Sequence, residues 1–105
     1  MKYKVVFTEK AKVHMHSAKD WWSYHRSTDE AQRWYVGLSD AIMSLEKNPA
    51  RCPLARENDS VRYEIRQLNY GLGSKSTHRA IFTIRPALVL VLAIRHLSQR
   101  DITAV

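Results

Sequence analysis

Hydrophobic periodicity changes once along this chain, and the change divides it. "YKVVFT" (residues 3–8) is short, β-branched and aromatic, and predicts a strand. Thr8 then stands where a helix cap belongs, ahead of "EKAK". From there Ala11, Met15, Ala18, Trp22 and His25 recur at intervals of three and four, one stripe along a helix of about four turns. Ser27 and Glu30 in "STDE" have capping-box spacing, so a second helix begins there. Its stripe is Ala31, Trp34, Tyr35, Leu38, Ala41, Ile42 and Leu45. "KNPARCP" ends it, because Pro49 pushes Asn48 out of helical geometry. So short a link folds the two helices into an antiparallel hairpin.

Residues 49–60 form a polar loop, and from Val61 onward the period is two. "VRYEI" alternates, "HRAIFTI" puts Ala80, Phe82 and Ile84 on one face, and "LVLVLAI" is apolar on both. "NYGLGSKST" joins the first pair, with Gly71 and Gly73 free to take positive φ, and "RPA" joins the second through Pro86. The expectation is a three-stranded antiparallel meander whose last strand, buried on both faces, is central. The N-terminal strand is expected to pair with it. The fold class is α+β in the order β-α-α-β-β-β, with the helical hairpin on one sheet face. A length of 105 residues allows one domain, 1–105.

Hydrophobic residues make up 45% and charged residues 26%, which excludes an intrinsically disordered chain. No apolar run approaches the roughly 18–20 residues that span a bilayer, so no membrane association is expected. The N-terminal apolar block is too short for a secretory signal, and the lone Cys52 cannot form an internal disulfide. A cytoplasmic protein is expected. Charge adds more: 17 Lys and Arg stand against 10 Asp and Glu, a formal +7. Residues 61–105 hold seven of the basic side chains, six of them Arg, and only Glu64 and Asp101 against them. Arginine suits bidentate contacts to phosphate or carboxylate, so a polyanionic partner fits this half of the chain.

Three stretches in this order, "EIRQLNYG" (64–71), "HRAIFTI" (78–84) and "VLVLAIRHLSQRD" (89–101), resemble the ParE/RelE superfamily of type II toxin–antitoxin toxins. "RWYVGLSDAIMSLEKNPARCPLARE" (33–57) is similar to the second helix and following loop of ParE-like, plasmid-stabilisation-type members. The resemblance implies a growth-arresting toxin neutralised by a cognate antitoxin. The antitoxin's C-terminal segment is expected to be acidic, since opposite charge steers and registers such complexes. ParE-type members poison DNA gyrase, whereas RelE-type members cleave mRNA on the ribosome; fold does not decide between inhibitor and enzyme. A third reading is a non-toxic basic RNA-binding module, which solvent-exposed aromatics among the strand arginines would favour.

Cleavage by a ribose 2′-hydroxyl needs a base, a proton donor and cations for the developing charge. The RelE-type reading gives these roles to Arg66, Arg79, His96 and Arg100, with His78 as another imidazole of suitable titration range. Glu64 departs from that pattern, standing where some ribonuclease members carry Lys, and "DITAV" lacks a tail Tyr or His. The gyrase reading needs only a complementary surface, for which the candidates are Arg62, Arg66, Arg79 and Arg95. Arg66 and Arg79 are expected to serve toxicity more than stability. The bland alternative makes Arg79 a strand-end partner of a loop carboxylate, Asp59 or Asp101. Arg95 and His96 should point to opposite sheet faces, so at most one joins Arg66 and Arg79. Trp21, Trp22 and Trp34 read as packing residues. In "HMH" (14–16) the imidazoles diverge around a helix, so no metal is expected there, and no cofactor anywhere.

Overall fold

The computed structural model describes residues 2–99. Strand β1 (Lys4–Phe7) leads into helix α1 (Glu9–His25), and helix α2 (Thr28–Met43) follows at once. Both helix starts are capped as the sequence predicts. The Thr8 hydroxyl accepts from the Ala11 N–H at 3.1 Å, and the Ser27 hydroxyl accepts from the Glu30 N–H at 3.0 Å. Each cap is worth on the order of 1 kcal/mol. After three single turns of 3-10 helix come β2 (Arg66–Tyr70), β3 (His78–Arg85) and β4 (Leu88–His96).

The strand order is β1-β4-β3-β2, which makes β4 internal as its two apolar faces require. Pairs β2–β3 and β3–β4 are antiparallel, but β1 runs parallel to β4, so the sheet is mixed rather than antiparallel throughout. The long crossover through both helices permits that direction. The helices cover one face, where Ala11, Met15, Trp34, Leu38 and Ile42 meet Ala80, Phe82, Val89 and Val91. Gly37 lets α2 approach β2, since a Cβ there would lie 1.8 Å from the Tyr70 hydroxyl oxygen.

The first meander strand starts later than its alternation suggests. Val61–Ile65 is not a strand; β2 begins at Arg66. The apolar members of that stretch instead close the second sheet face, where Ile65, Val61 and Tyr63 pack with Ile81, Leu92 and Ala93. The Ala55 N–H donates to the Ile65 carbonyl and the Gln67 N–H to the Pro53 carbonyl, so the loop itself pairs with β2's outer edge. Period two marked a half-buried segment that bends at residues 61–63, not a ladder.

No glycine takes positive φ; Asn48 (47°) and Ala87 (59°) do. Asn48 tolerates that region, and it stands before Pro49, where the helix was expected to stop. Ala87 is less well suited. With Pro86 it forms the two-residue loop between the paired Arg85 and Leu88, a turn with proline first and a left-handed second residue. Ala87→Gly is expected to raise stability by about 0.5–1 kcal/mol, relief of the left-handed backbone outweighing the added unfolded-state entropy. A lower urea midpoint than the parent's would contradict this.

One irregularity positions the functional end of the sheet. Ile81 faces Ala93 while Phe82 faces Val91, so Leu92 is an extra residue in β4. It switches the side-chain parity of everything beyond it. His96 thereby joins Ala80 and Ile94 on the helix side, and Arg95 falls on the side of Ile81. Pairing with β1 ends at Phe7–Val91. Past that point α1 takes over: the Thr8 hydroxyl donates to the Leu92 carbonyl at 3.3 Å, and the Ile94 N–H donates to His14 Nδ1 at 3.1 Å.

Candidate functional site

Where β4 runs past β1, α1 and the strand ends enclose a cleft of about 610 Å³. From α1 come His14, Ser17, Ala18, Trp21 and Trp22, and from its C-cap Arg26. Thr77 and His78 come from the start of β3, and Ile94, Arg95 and His96 from the end of β4, with Ser98 and Gln99 beyond. The central strand therefore delivers its charged end into a concave surface. His78 and His96 face each other across the β3–β4 ladder with ring centroids 5.0 Å apart. His78 also meets the buried Trp34 edge to face at 5.0 Å.

The imidazoles differ in what surrounds them. Burial, then the neighbouring His96, pushes His78 down to about 4. Burial lowers His14 as well, followed by the charges of Lys10 and Arg95. Because His14 Nδ1 accepts a backbone N–H, the ring is held neutral with its proton on Nε2. His96 Nδ1 accepts from the Ser98 N–H at 3.0 Å, which folds the chain beyond β4 back over the cleft.

The arginines singled out from sequence are not gathered there. Arg79 is fully buried, at 0% exposure. Its two terminal nitrogens meet both carboxylate oxygens of Glu57, which is also buried, and Nη1 reaches Gln67 Oε1 at 3.1 Å. It has a loop carboxylate partner, but that partner is Glu57 rather than Asp59, and Asp101 lies outside the described residues. An Arg presented to a target was expected at this position; the side chain instead lies beneath the 53–65 segment. Arg66 pairs with Phe82 in register and so lies on the helix face, opposite to Arg79. It donates to the Cys52 carbonyl at 2.6 Å and sits 3.1 Å from Glu64. Arg62 is exposed. Arg95 stands across from Arg79 in register and lines the cleft. Arg95 and His96 do point to opposite faces, and Arg95 is the one beside Arg79. Arg100 lies outside the described residues.

One cleft aromatic, Trp21, and two exposed rings beside it, Tyr24 and His25, depart from the sequence expectation. Trp21 was read as packing, yet it is 52% exposed, and Tyr24 is 86% exposed. His25 closes the predicted stripe but is exposed, stacked on Trp21 at 4.5 Å. The clue was available: Ser17, Trp21 and Tyr24 form their own three-and-four series, one residue off the core stripe. Trp22 and Trp34 do pack, 6.4 Å apart. Cys52 is buried, and burial raises its thiol pKa, leaving it inert. No cluster of His, Cys, Asp or Glu fit to hold a metal occurs among the described residues. Nor is any described helix long and apolar enough to cross a membrane.

Residues 5–101 match the family model for the ParE toxin of the type II toxin–antitoxin system parDE. The chain belongs to the ParE toxin family. It is a toxin of the ParE/RelE superfamily, as its sequence resemblance implied. Among solved structures, a chain of the chromosomal ParDE system from P. aeruginosa shares the fold at TM-score 0.73 and 14% identity, over 92% of this chain and 98% of that one. A chain of the archaeal RelE–RelB complex from Pyrococcus horikoshii OT3 aligns at TM-score 0.47 and 14% identity, over 95% of this chain and 100% of that one. No curated protein matches. Within the ParE family, then, this member carries its cleft between α1 and the ends of β3 and β4, and its Arg79 inside.

Proposed function

We propose that this ParE-family toxin arrests growth by binding DNA gyrase, not by cutting mRNA, and that an antitoxin with an acidic C-terminal segment neutralises it in the cytoplasm. The dispersal of the RNase candidates carries this reading. A general base, an acid and charge-stabilising cations must converge within hydrogen-bonding reach of one phosphate. Arg79 is shut behind Glu57 on one sheet face. Arg66 is on the other face, and the β2 residue aligned with the His78–His96 pair is Tyr70. Arg66 and Tyr70 stand four strand steps apart, about 13 Å. Glu64 further occupies Arg66. Inhibition by binding needs no such convergence, only a complementary surface. Arg62, Lys75 and Arg85 are exposed for a partner of opposite charge.

In a translating extract the protein is expected to leave mRNA uncut. Codon-phased cuts that disappear on changing His96 or Arg66 would overturn the reading in favour of a ribosome-dependent endonuclease.

A further inference from the structure

The cleft differs from a peptide-anchoring groove in its lining. Of the described residues that line it, only Ala18 and Ile94 are aliphatic; the others are two indoles, three imidazoles, two guanidinium side chains and short polar groups. Among the described residues, no carboxylate lines it. Aliphatic anchors of a partner helix want Leu, Ile or Val to pack against, whereas flat rings offer faces for other flat rings. Trp21 and Trp22 meet at 87°, forming a corner of two aromatic walls. A large, half-exposed indole that does not serve the core marks a contact surface. The volume of about 610 Å³ lies inside the range of roughly 300–1,000 Å³ usual for small-ligand sites.

Charge selects among planar ligands. Arg26 and Arg95 line the cleft. The Nε of Arg26, in the link between the helices, meets Glu30 of α2 at 3.1 Å on an exposed surface. Such exposed pairs are worth only about 0–1 kcal/mol, so a phosphate can replace the carboxylate. Ser17, Thr77, Ser98 and Gln99 add neutral groups suited to base edges and sugar hydroxyls. Exposed aromatics beside arginines were the feature that would mark nucleic-acid contact; they come from α1 rather than from the strands.

We propose that this cleft binds an unpaired nucleotide of a single-stranded nucleic acid, its base against Trp21 and Trp22 and its phosphate toward Arg26 and Arg95. The inference is independent of gyrase inhibition, and either can fail alone. Stacking tolerates any base, so little sequence preference is expected. Duplex ends bind less, because their bases are already stacked.

The test uses the full-length chain with dT12 and rU12 strands, a 12-base-pair duplex and free nucleoside monophosphates at about 50 mM salt. Three indole N–H resonances are available from Trp21, Trp22 and Trp34. Single strands should shift the first two and leave Trp34 in place. Trp21→Ala should weaken binding on the order of 5- to 100-fold, the range found for losing one stacked base. Trp21→Tyr should recover most of it, and Arg33→Gln, an exposed charge outside the cleft, should change it little. The logarithm of affinity should fall with log salt at a slope near −0.7 to −1.4, as for one or two phosphates. Equal affinity for monophosphates would reduce the site to a free-nucleotide pocket and overturn the strand assignment. Tighter binding to the duplex, equal losses in Trp21→Ala and Arg33→Gln, or indole shifts caused only by an acidic peptide would each overturn the proposal.

Discussion

Replacing Arg79 by alanine is expected to destabilise the fold by about 3–5 kcal/mol, because it strands a buried carboxylate. Glu57 and Arg79 are both fully buried and meet through two parallel contacts. Without the guanidinium, Glu57 must either stay charged without its partner or take up a proton. The loss spreads, since Gln67 also receives the Arg56 N–H, and Arg56 donates to the Leu97 and Gln99 carbonyls. One pair thus fastens the 53–65 segment to the sheet face and, through Arg56, reaches the residues after β4. For a chain of this size about 1 kcal/mol corresponds to roughly 4–8 °C in melting temperature, so most of the folded population is at risk near 37 °C. Replacing both partners with apolar residues of similar volume should recover much of the loss. Urea unfolding measures this; an Arg79→Ala midpoint within experimental scatter of the parent's would show that the pair does not anchor the loop. Relief of toxicity by this variant would accordingly report lost folding.

Acid should weaken the fold in a particular window. The His78 imidazole is 8% exposed and is held down to about 4 by burial and then by His96. In the unfolded chain histidine titrates near 6.5. Between those two values the unfolded chain binds a proton that the folded one refuses, so stability rises with pH there. The contribution is fully present above about pH 6.5 and is lost progressively as pH falls toward 4. Allowing for partial solvent screening, it amounts to about 2 kcal/mol. His14, also lowered, acts in the same direction. His78→Phe keeps a ring against Trp34 and should flatten the dependence of melting temperature on pH between 7 and 4.5. A parent protein with a flat profile there, or a variant as steep as the parent, would contradict the assignment.

Much of this architecture was legible because local signals agreed with one another. Thr8 and Ser27 capped the helices they introduced, five of the seven residues in the second stripe were buried and Tyr35 and Ala41 half-buried, and "LVLVLAI" became an internal strand. The direction of β1 was not legible, since strand pairing is chosen by packing of the whole layer. Val61–Ile65 misled because alternation reports one buried face and does not reveal whether a ladder forms. The site was less readable for two physical reasons. A single extra residue, Leu92, reverses the parity of the strand end, and no residue pattern announces a bulge without glycine. Arg79 looked like a surface charge because its buried partner is 22 positions away in a polar loop. The exposed indole of Trp21 adjoined the core-facing Trp22, and adjacency hid their different faces.

The central claim is that this toxin acts by occupying gyrase, and supercoiling of relaxed plasmid by purified gyrase tests it most directly. Toxin added at increasing concentration should abolish supercoiling or accumulate cleaved, gyrase-bound DNA, and an excess of the cognate antitoxin should restore activity. Undiminished supercoiling by gyrase, at toxin concentrations that arrest growth when reached inside cells, would contradict it.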